Sequence, residues 1–199
     1  CLAADSIPAL TLLGASVRIL GKKGFREVPA EDFIIPCTAC LNHEEMTVGG
    51  CFYGVTSGRK NVLDPGEIVA EIRVPKRYGT YRYFYQKVGR RNGFCMSKFT
   101  LAFLFEMKEE TIRDIRLSVG AAFADMHLRR EADRLIGMTV ADPEFDRTAG
   151  RIGEEIAEHI LSQRAKANRS LEYKAEVCRR LVKRSLIESL KTGDERING

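Results

Sequence analysis

"SKFTLAFLFEMKEETIRDIRLSVGAA", residues 97 to 122, decides how this chain folds. In its first half Phe99, Leu101, Phe103, Phe105 and Met107 recur at every second position; in its second half Ile115, Leu117 and Val119 do the same. A period of two places these side chains on one face of extended backbone, whereas a helix would need a spacing of three and four. Between the halves, "KEE" (108 to 110) is polar and short enough to be a hairpin connection. Upstream, "YRYFYQKV" (81 to 88) reads as a further strand. The expectation is an antiparallel meander of three strands with one buried face.

Downstream of residue 122 the period changes. "MHLRREADRLIG" (126 to 137) carries Leu128, Ala132, Leu135 and Ile136 at helical spacing and stops at Gly137. "DPEFDRTAGRIGEEIAEHILSQ" opens with an Asp142 cap and Pro143 in the first turn, then sets Phe145, Ala149, Ile152, Ile156 and Ile160 on one stripe. "SLEYKAEVCRRLVKRSLIESLKTG" repeats the pattern with Leu171, Ala175, Cys178, Val182, Leu186 and Leu190. Three amphipathic helices following three antiparallel strands predict an α+β layer arrangement.

Upstream, residues 4 to 13 predict a short helix capped by Asp5 or Ser6, with Ile7, Leu10 and Leu13 on one face and Gly14 at its end. "SVRIL", "GKKG" and "FREV" predict a tight hairpin, and "PAEDFI" a second short helix with Pro29 at its start. Residues 36 to 66 show no sustained period and hold five of the 17 glycines, so they predict a long loop. "EIVAEIRVP" (67 to 75) resumes as a strand, and the "KRYG" after it is the candidate domain boundary.

Composition narrows the function classes. With 199 residues, 44% hydrophobic and 30% charged, the chain has the makeup of an ordinary globular protein. Its longest apolar runs fall well short of the roughly 20 residues that span a bilayer, and the start shows no export signal. Because the first residue is Cys and leads straight into a helical phrase, a processed product or a piece of something longer is expected. The net charge of +5 comes from 32 Lys and Arg set against 27 Asp and Glu, a bias that permits an anionic partner without pointing to nucleic acid. Six cysteines without a secretion signal favour free thiols in the cytoplasm.

Chemistry-bearing patterns are few. Three histidines restrict acid–base catalysis; Glu155 and His159 lie four apart on a helix, which reads as a solvated pair. No nucleophile elbow, P-loop or zincin motif occurs, so hydrolase and kinase readings have no support. Cys37 and Cys40, separated by two residues, and Cys51 share the long loop with His43, and Cys1 can approach if the fold allows. Such a pair is a good chelate bite for zinc or an iron–sulfur centre, but four regularly spaced ligands are lacking, and incidental thiols are the alternative. Cys95 and Cys178 read as strand and core thiols. Lys87, Arg90, Arg91 and Lys98 cluster around the turn pair Asn92-Gly93, which reads either as a charged hairpin or as a seat for an anion.

Taken in order, "AADSIPALTLLGASVRI", "VPAEDF", "LDPGEIVAEIRVP", "KVGRRNGFCMSKFTLAF", "IRDIRLSVGAA", "LRREADRLIG" and "RSLEYKAEVCRRLVKRSLIESL" resemble the FAD-binding subunit, or medium flavoprotein chain, of molybdenum hydroxylases, of the xanthine dehydrogenase and carbon monoxide dehydrogenase type. The resemblance covers nearly the whole chain outside residues 36 to 62. It implies that residues 1–75 are the end of a flavin-binding α+β domain and residues 76–199 a C-terminal domain of three antiparallel strands packed on a three-helix bundle. It implies FAD as cofactor, and a molybdopterin-binding subunit and a 2Fe-2S subunit as partners. Electrons would pass from those clusters through FAD to NAD or another acceptor.

Matched position by position, the family's flavin contacts fall on Asp5, Val69 and Lys87. A carboxylate at Asp5 can accept hydrogen bonds from ribityl or ribose hydroxyls, Val69 offers an apolar wall to the ring, and Lys87 sets a cation beside a flavin that becomes anionic on reduction. Two departures stand out. The family's leading subdomain, with its Gly-rich loop for the pyrophosphate, has no counterpart in this sequence, so weak FAD binding by this chain alone is expected. The loop at 36–62 is also longer than the family's link; one branch, the 4-hydroxybenzoyl-CoA reductases, is similar in carrying a 4Fe-4S cluster in an inserted loop, though no cysteine here is matched to it. A rival reading is an assembly module that docks partner subunits and holds no cofactor. Another is nucleic-acid binding by Arg179, Arg180, Lys183 and Arg184, weakened by the interspersed Glu172, Glu176 and Glu188.

Overall fold

The computed structural model describes residues 5–35, 61–89, 95, 97–122, 127–162 and 169–192. The elements are α1 (Ser6–Leu12), β1 (Ser16–Gly21), β2 (Gly24–Pro29), α2 (Ala30–Phe33), β3 (Ile68–Arg73), β4 (Arg82–Val88), β5 (Phe99–Lys108), β6 (Thr111–Gly120), β7 (Leu128–Arg129), α3 (Phe145–Ser162) and α4 (Arg169–Thr192). Short 3-10 turns at Lys76–Tyr78 and Arg130–Leu135 join them. The strands form two antiparallel sheets, one ordered β2-β1-β3 and the other β4-β5-β6-β7. This is the expected α+β fold.

The second sheet carries the expected meander. Phe103 pairs with Phe84 on β4 and Leu117 on β6, and the β5–β6 hairpin closes through Glu109 and Glu110. Both turn residues lie at positive φ, 52° and 63°, the backbone a two-residue hairpin requires, here imposed on glutamates instead of the usual Asn-Gly. Phe99, Leu101, Phe103 and Phe105 point into one large core with Ile115, Leu117 and Val119. Phe145, Ile152, Ile156 and Ile160 of α3 and Cys178, Val182 and Leu186 of α4 cover that face. At about 2 kcal/mol for each fully buried Phe or Leu, this layer is the main source of the fold's stability.

Three expectations need correction. The sheet buries both faces of β5: Ala102 and Leu104, on the side expected to meet water, pack against Leu12 of α1 and against Tyr78. Of the helix expected over 126–137, the described residues 127–137 do not make a full helix; Leu128 and Arg129 add a short fourth strand on β6, and residues 130–135 coil as a 3-10 turn. The ladder extends by two antiparallel pairs, Leu117 with Arg129 and Ser118 with Leu128. Asp5 sits at the N-cap of α1 but its side chain caps nothing. Its carboxylate is drawn elsewhere, as described below.

In the first sheet Val17 and Ile19 of β1 are buried with Ala15, Ala30, Leu10, Val28 and Phe33. The opposite face is held by ion pairs, Arg18 to Glu71 at 2.7 Å and Arg73 to Glu27 at 3.4 Å. α1 touches both sheets: Leu10 packs on the core of the first, Leu12 on the Ala102 and Leu104 face of the second, and Ile7 on Ile34. Most of the segment expected to be a loop, with Cys37, Cys40, His43 and Cys51, lies outside the described residues, as does Cys1.

Candidate functional site

Alternation along β4 sets Tyr83, Tyr85 and Lys87 on one face. The same alternation on β5 puts Thr100, Ala102 and Leu104 there, in register with Lys87, Tyr85 and Tyr83. This is the face that α1 covers over β5 and β6, so the first residues of α1 arrive beside the end of β4. Three bonds result. Lys87 Nζ donates to Asp5 Oδ2 at 2.7 Å, Ser97 Oγ donates to Asp5 Oδ1, and Tyr85 OH donates to the Asp5 carbonyl at 3.0 Å.

The electrostatics follow from these contacts. Partial burial works to raise the Asp5 carboxyl, but the bonds from Lys87 and Ser97 and the Lys87 charge outweigh it and leave the group below the ordinary carboxylate range. Burial, then the negative charge of Asp5, pushes the Tyr85 phenol up to about 12. At neutral pH the cluster is therefore a carboxylate, an ammonium and two hydroxyl donors, one cation against one anion. Tyr83 and Tyr85 are 64% and 40% exposed, so aromatic surface flanks the charges.

Of the residues singled out in the sequence, Asp5 and Lys87 are brought together across 82 positions. Val69 is not with them: it stands on β3 in the other sheet, in register with Ile19, and is 41% exposed together with Ile68, Ile72 and Val74. Lys98 closes the strand connection through its backbone N–H to the Val88 carbonyl at 2.8 Å, and its ammonium lies 4.8 Å from the Tyr173 ring. Arg90, Arg91 and Asn92-Gly93 lie outside the described residues. The sequence reading missed Tyr85 and Ser97. Stepping back two residues from Lys87 finds the tyrosines; nothing in the sequence marks Ser97 as a partner of Asp5.

The other candidates resolve simply. Glu155 is engaged by Arg134, at 2.8 and 2.5 Å, as a surface pair. In α4, Arg179 bonds Glu154 and Glu176 and Arg180 bonds Glu176, so the basic stripe is largely neutralised in place. Among the described residues no group of His, Cys, Asp or Glu is arranged to hold a metal ion, and no helix is long and apolar enough to cross a membrane.

As a flavin site, the cluster fits part of the cofactor. The Asp5 carboxylate and the Ser97 and Tyr85 hydroxyls suit the hydroxyl-bearing chain, and Lys87 suits a ring that gains negative charge. A Gly-rich cradle of backbone N–H groups for the pyrophosphate is not found among the described residues.

No protein-family model matches the chain, and no curated protein matches it. Solved structures do. A chain of quinoline 2-oxidoreductase from Pseudomonas putida 86 superposes with a TM-score of 0.71 at 18% identity, over 96% of this chain and 57% of that one. A chain of the carbon monoxide dehydrogenase from Hydrogenophaga pseudoflava that lacks the Mo-pyranopterin moiety of its cofactor gives 0.69 at 17%, over 95% and 57%. Reconstituted CO dehydrogenase from Oligotropha carboxidovorans gives 0.66 at 18%, over 92% and 55%. The resemblance to chains of molybdenum hydroxylases is thus borne out in the fold, and the chain spans a little over half the length of those it matches.

Proposed function

We propose that this chain is part of a flavoprotein component of a molybdenum hydroxylase, and that it contributes one wall of an FAD site. The observation that carries the reading is the junction of Asp5 and Lys87: two residues far apart in sequence, both matched to flavin contacts by the family resemblance, meet at 2.7 Å. On this reading residues 1–75 form the flavin-side portion and residues 76–199 the C-terminal domain. FAD, when bound, would accept electrons from iron–sulfur clusters of a 2Fe-2S partner chain fed by a molybdopterin-binding chain, and release them to NAD or another acceptor. Asp5 and Ser97 would hold the hydroxyl-bearing part, Lys87 would favour the reduced, more negative ring, and Val69 would offer apolar surface from the neighbouring sheet. Cytoplasmic location follows from the same reading.

The test is FAD binding, followed by absorbance near 450 nm and by flavin fluorescence, in the full chain joined to the leading segment of such flavoproteins. Lys87→Met and Asp5→Asn are expected to weaken binding about tenfold each, the loss of one charge-assisted bond at ~1.5 kcal/mol. Unchanged affinity in both variants rejects the assignment.

A second reading has its own observation. Ile68, Val69, Ile72 and Val74 leave β3 exposed by 41 to 60%, apolar surface suited to docking another polypeptide. An assembly role without cofactor predicts no FAD binding under any condition, with capture of a partner subunit abolished by Ile68→Lys.

A further inference from the structure

The outer face of β6 reads Asp114, Arg116, Ser118, Gly120 at alternate positions, and α1 lies across it. At one end Arg116 Nε donates to the Leu12 carbonyl at 2.6 Å, holding the last turn of α1. At the other end Gly120 meets Pro8. A Cβ built on Gly120 would overlap the hydroxyl of Thr100, its cross-strand partner, and would lie 2.5 Å from Pro8 Cγ. Both neighbours are buried, Thr100 at 1% exposure. Gly120 is not among the glycines at positive φ, so its backbone would accept any residue. The missing side chain matters for space alone.

From this we infer that Gly120 is a positioning residue: its bare Cα lets Pro8 settle on β6, and that seat brings Asp5, three residues earlier, within reach of Ser97 and Lys87. The inference rests on the flavin reading only for the use made of Asp5; the geometry stands without it. Carbon atoms in contact sit about 3.5 to 4.0 Å apart, so a methyl at position 120 forces Pro8 back by about 1 Å. Lys87 has a long flexible stem and can follow a retreating carboxylate. Ser97 cannot: its short side chain loses the bond once the separation passes about 3.5 Å. Displacement of α1 therefore strips the Asp5 carboxylate of one of its two donors, whereas a change that only loosened the core would leave the pair intact.

The experiment follows the Asp5 carboxyl by NMR in chains labelled with 13C-aspartate, so its readout does not depend on flavin. Thr100→Ala is introduced first, which removes the hydroxyl as an obstacle and leaves Pro8 as the remaining neighbour. This variant is expected to titrate Asp5 as the unmodified chain does. Adding Gly120→Ala is expected to raise the Asp5 pKa toward the ordinary carboxylate value, and adding Pro8→Ala to lower it again. Rescue of folding by Pro8→Ala, should Thr100→Ala/Gly120→Ala not fold, equally supports the seat. An unmoved Asp5 in a folded Thr100→Ala/Gly120→Ala chain overturns the inference, as does a triple variant that is unfolded or unrescued. FAD titration of the same variants joined to the leading segment of such flavoproteins separates the two claims: absence of binding by the joined protein without substitutions removes the flavin reading and leaves the Asp5 result to judge Gly120.

Discussion

Two glycines one turn apart on α3 predict opposite responses to the same substitution. A methyl on Gly150 would lie 3.7 Å from Lys183 Cδ, an ordinary contact with a side chain that can move. A methyl on Gly153 would lie 2.8 Å from the Arg179 carbonyl oxygen and 3.5 Å from its carbon, and that carbonyl is backbone of α4. Ala in a helix interior is favoured over Gly by about 1 kcal/mol, a gain available at both positions. At Gly150 nothing opposes it, so Gly150→Ala is expected to stabilise by up to ~1 kcal/mol. At Gly153 carbon and oxygen prefer about 3.3 Å or more, so the helices must part by about half an ångström. That loosens Ile152, Ile156, Cys178 and Val182, all fully buried between α3, α4 and the sheet. Overpacking of this kind costs about 1 to 3 kcal/mol and outweighs the propensity gain, leaving Gly153→Ala destabilised by ~1 kcal/mol. Urea unfolding followed by far-UV circular dichroism reads both, and thermal midpoints should separate by about 2 to 4 °C per kcal/mol. A Gly153→Ala chain as stable as Gly150→Ala refutes the closeness of the two helices.

Two further outcomes concern buried titratable groups. Lys174 is 3% exposed and donates to the Ala121 carbonyl at 2.6 Å; burial, aided by the nearby Lys98 charge, lowers its pKa from 10.5 to about 8. Below about pH 8 the ammonium is present in folded and unfolded chains alike and its burial penalty is complete. Between about pH 8 and 10.5 the unfolded chain binds more protons, so stability relative to Lys174→Met should rise by about 3 kcal/mol across that window. A pH-independent difference between the two proteins contradicts this. Cys178 is fully buried, and burial pushes its thiol up to about 12, so iodoacetamide should leave it unlabelled in the native chain and modify it in urea, as read by peptide mass spectrometry. Native labelling at Cys178 would mean that α4 opens from the core.

How far the sequence revealed the fold depends on how many faces each segment buries. The stripes of α3 and α4 were legible because each helix has one wet side, and every predicted stripe residue from Phe145 to Ile160 is buried. The strands were legible from their alternation, yet the same alternation misled about β5. Thr100, Ala102 and Leu104 look like a mixed face that tolerates water, but α1 arrives from about 90 positions away to cover them. Residues 128–135 carry apolar side chains at helical intervals, but pairing with β6 takes the first two, and Ile136 is left 45% exposed. Periodicity records which residues are apolar and says nothing of an edge strand waiting for a partner.

The candidate site shows the same division between local and distant causes. Asp5 in front of a short apolar helix is a good capping signal, because a carboxylate before the first turn ordinarily accepts the free N–H groups there. In the fold that carboxylate forgoes the cap, since Lys87 offers a charge-assisted bond and Ser97 a second donor, together worth more than one cap hydrogen bond. The exchange is available because α1 lies on the second sheet, where Leu12 packs with Ala102, Leu104 and Tyr78, Arg116 bonds the last turn of α1, and Gly120 leaves room for Pro8. A reading that assigns α1 to residues 1–75 and β6 to 76–199 has no reason to connect them. With Gly120 as the seat of Pro8, as inferred above, the chemistry at Asp5 is tied to a glycine 115 positions away, and dividing the chain between Pro75 and Lys76 separates the carboxylate from the surface on which α1 lies.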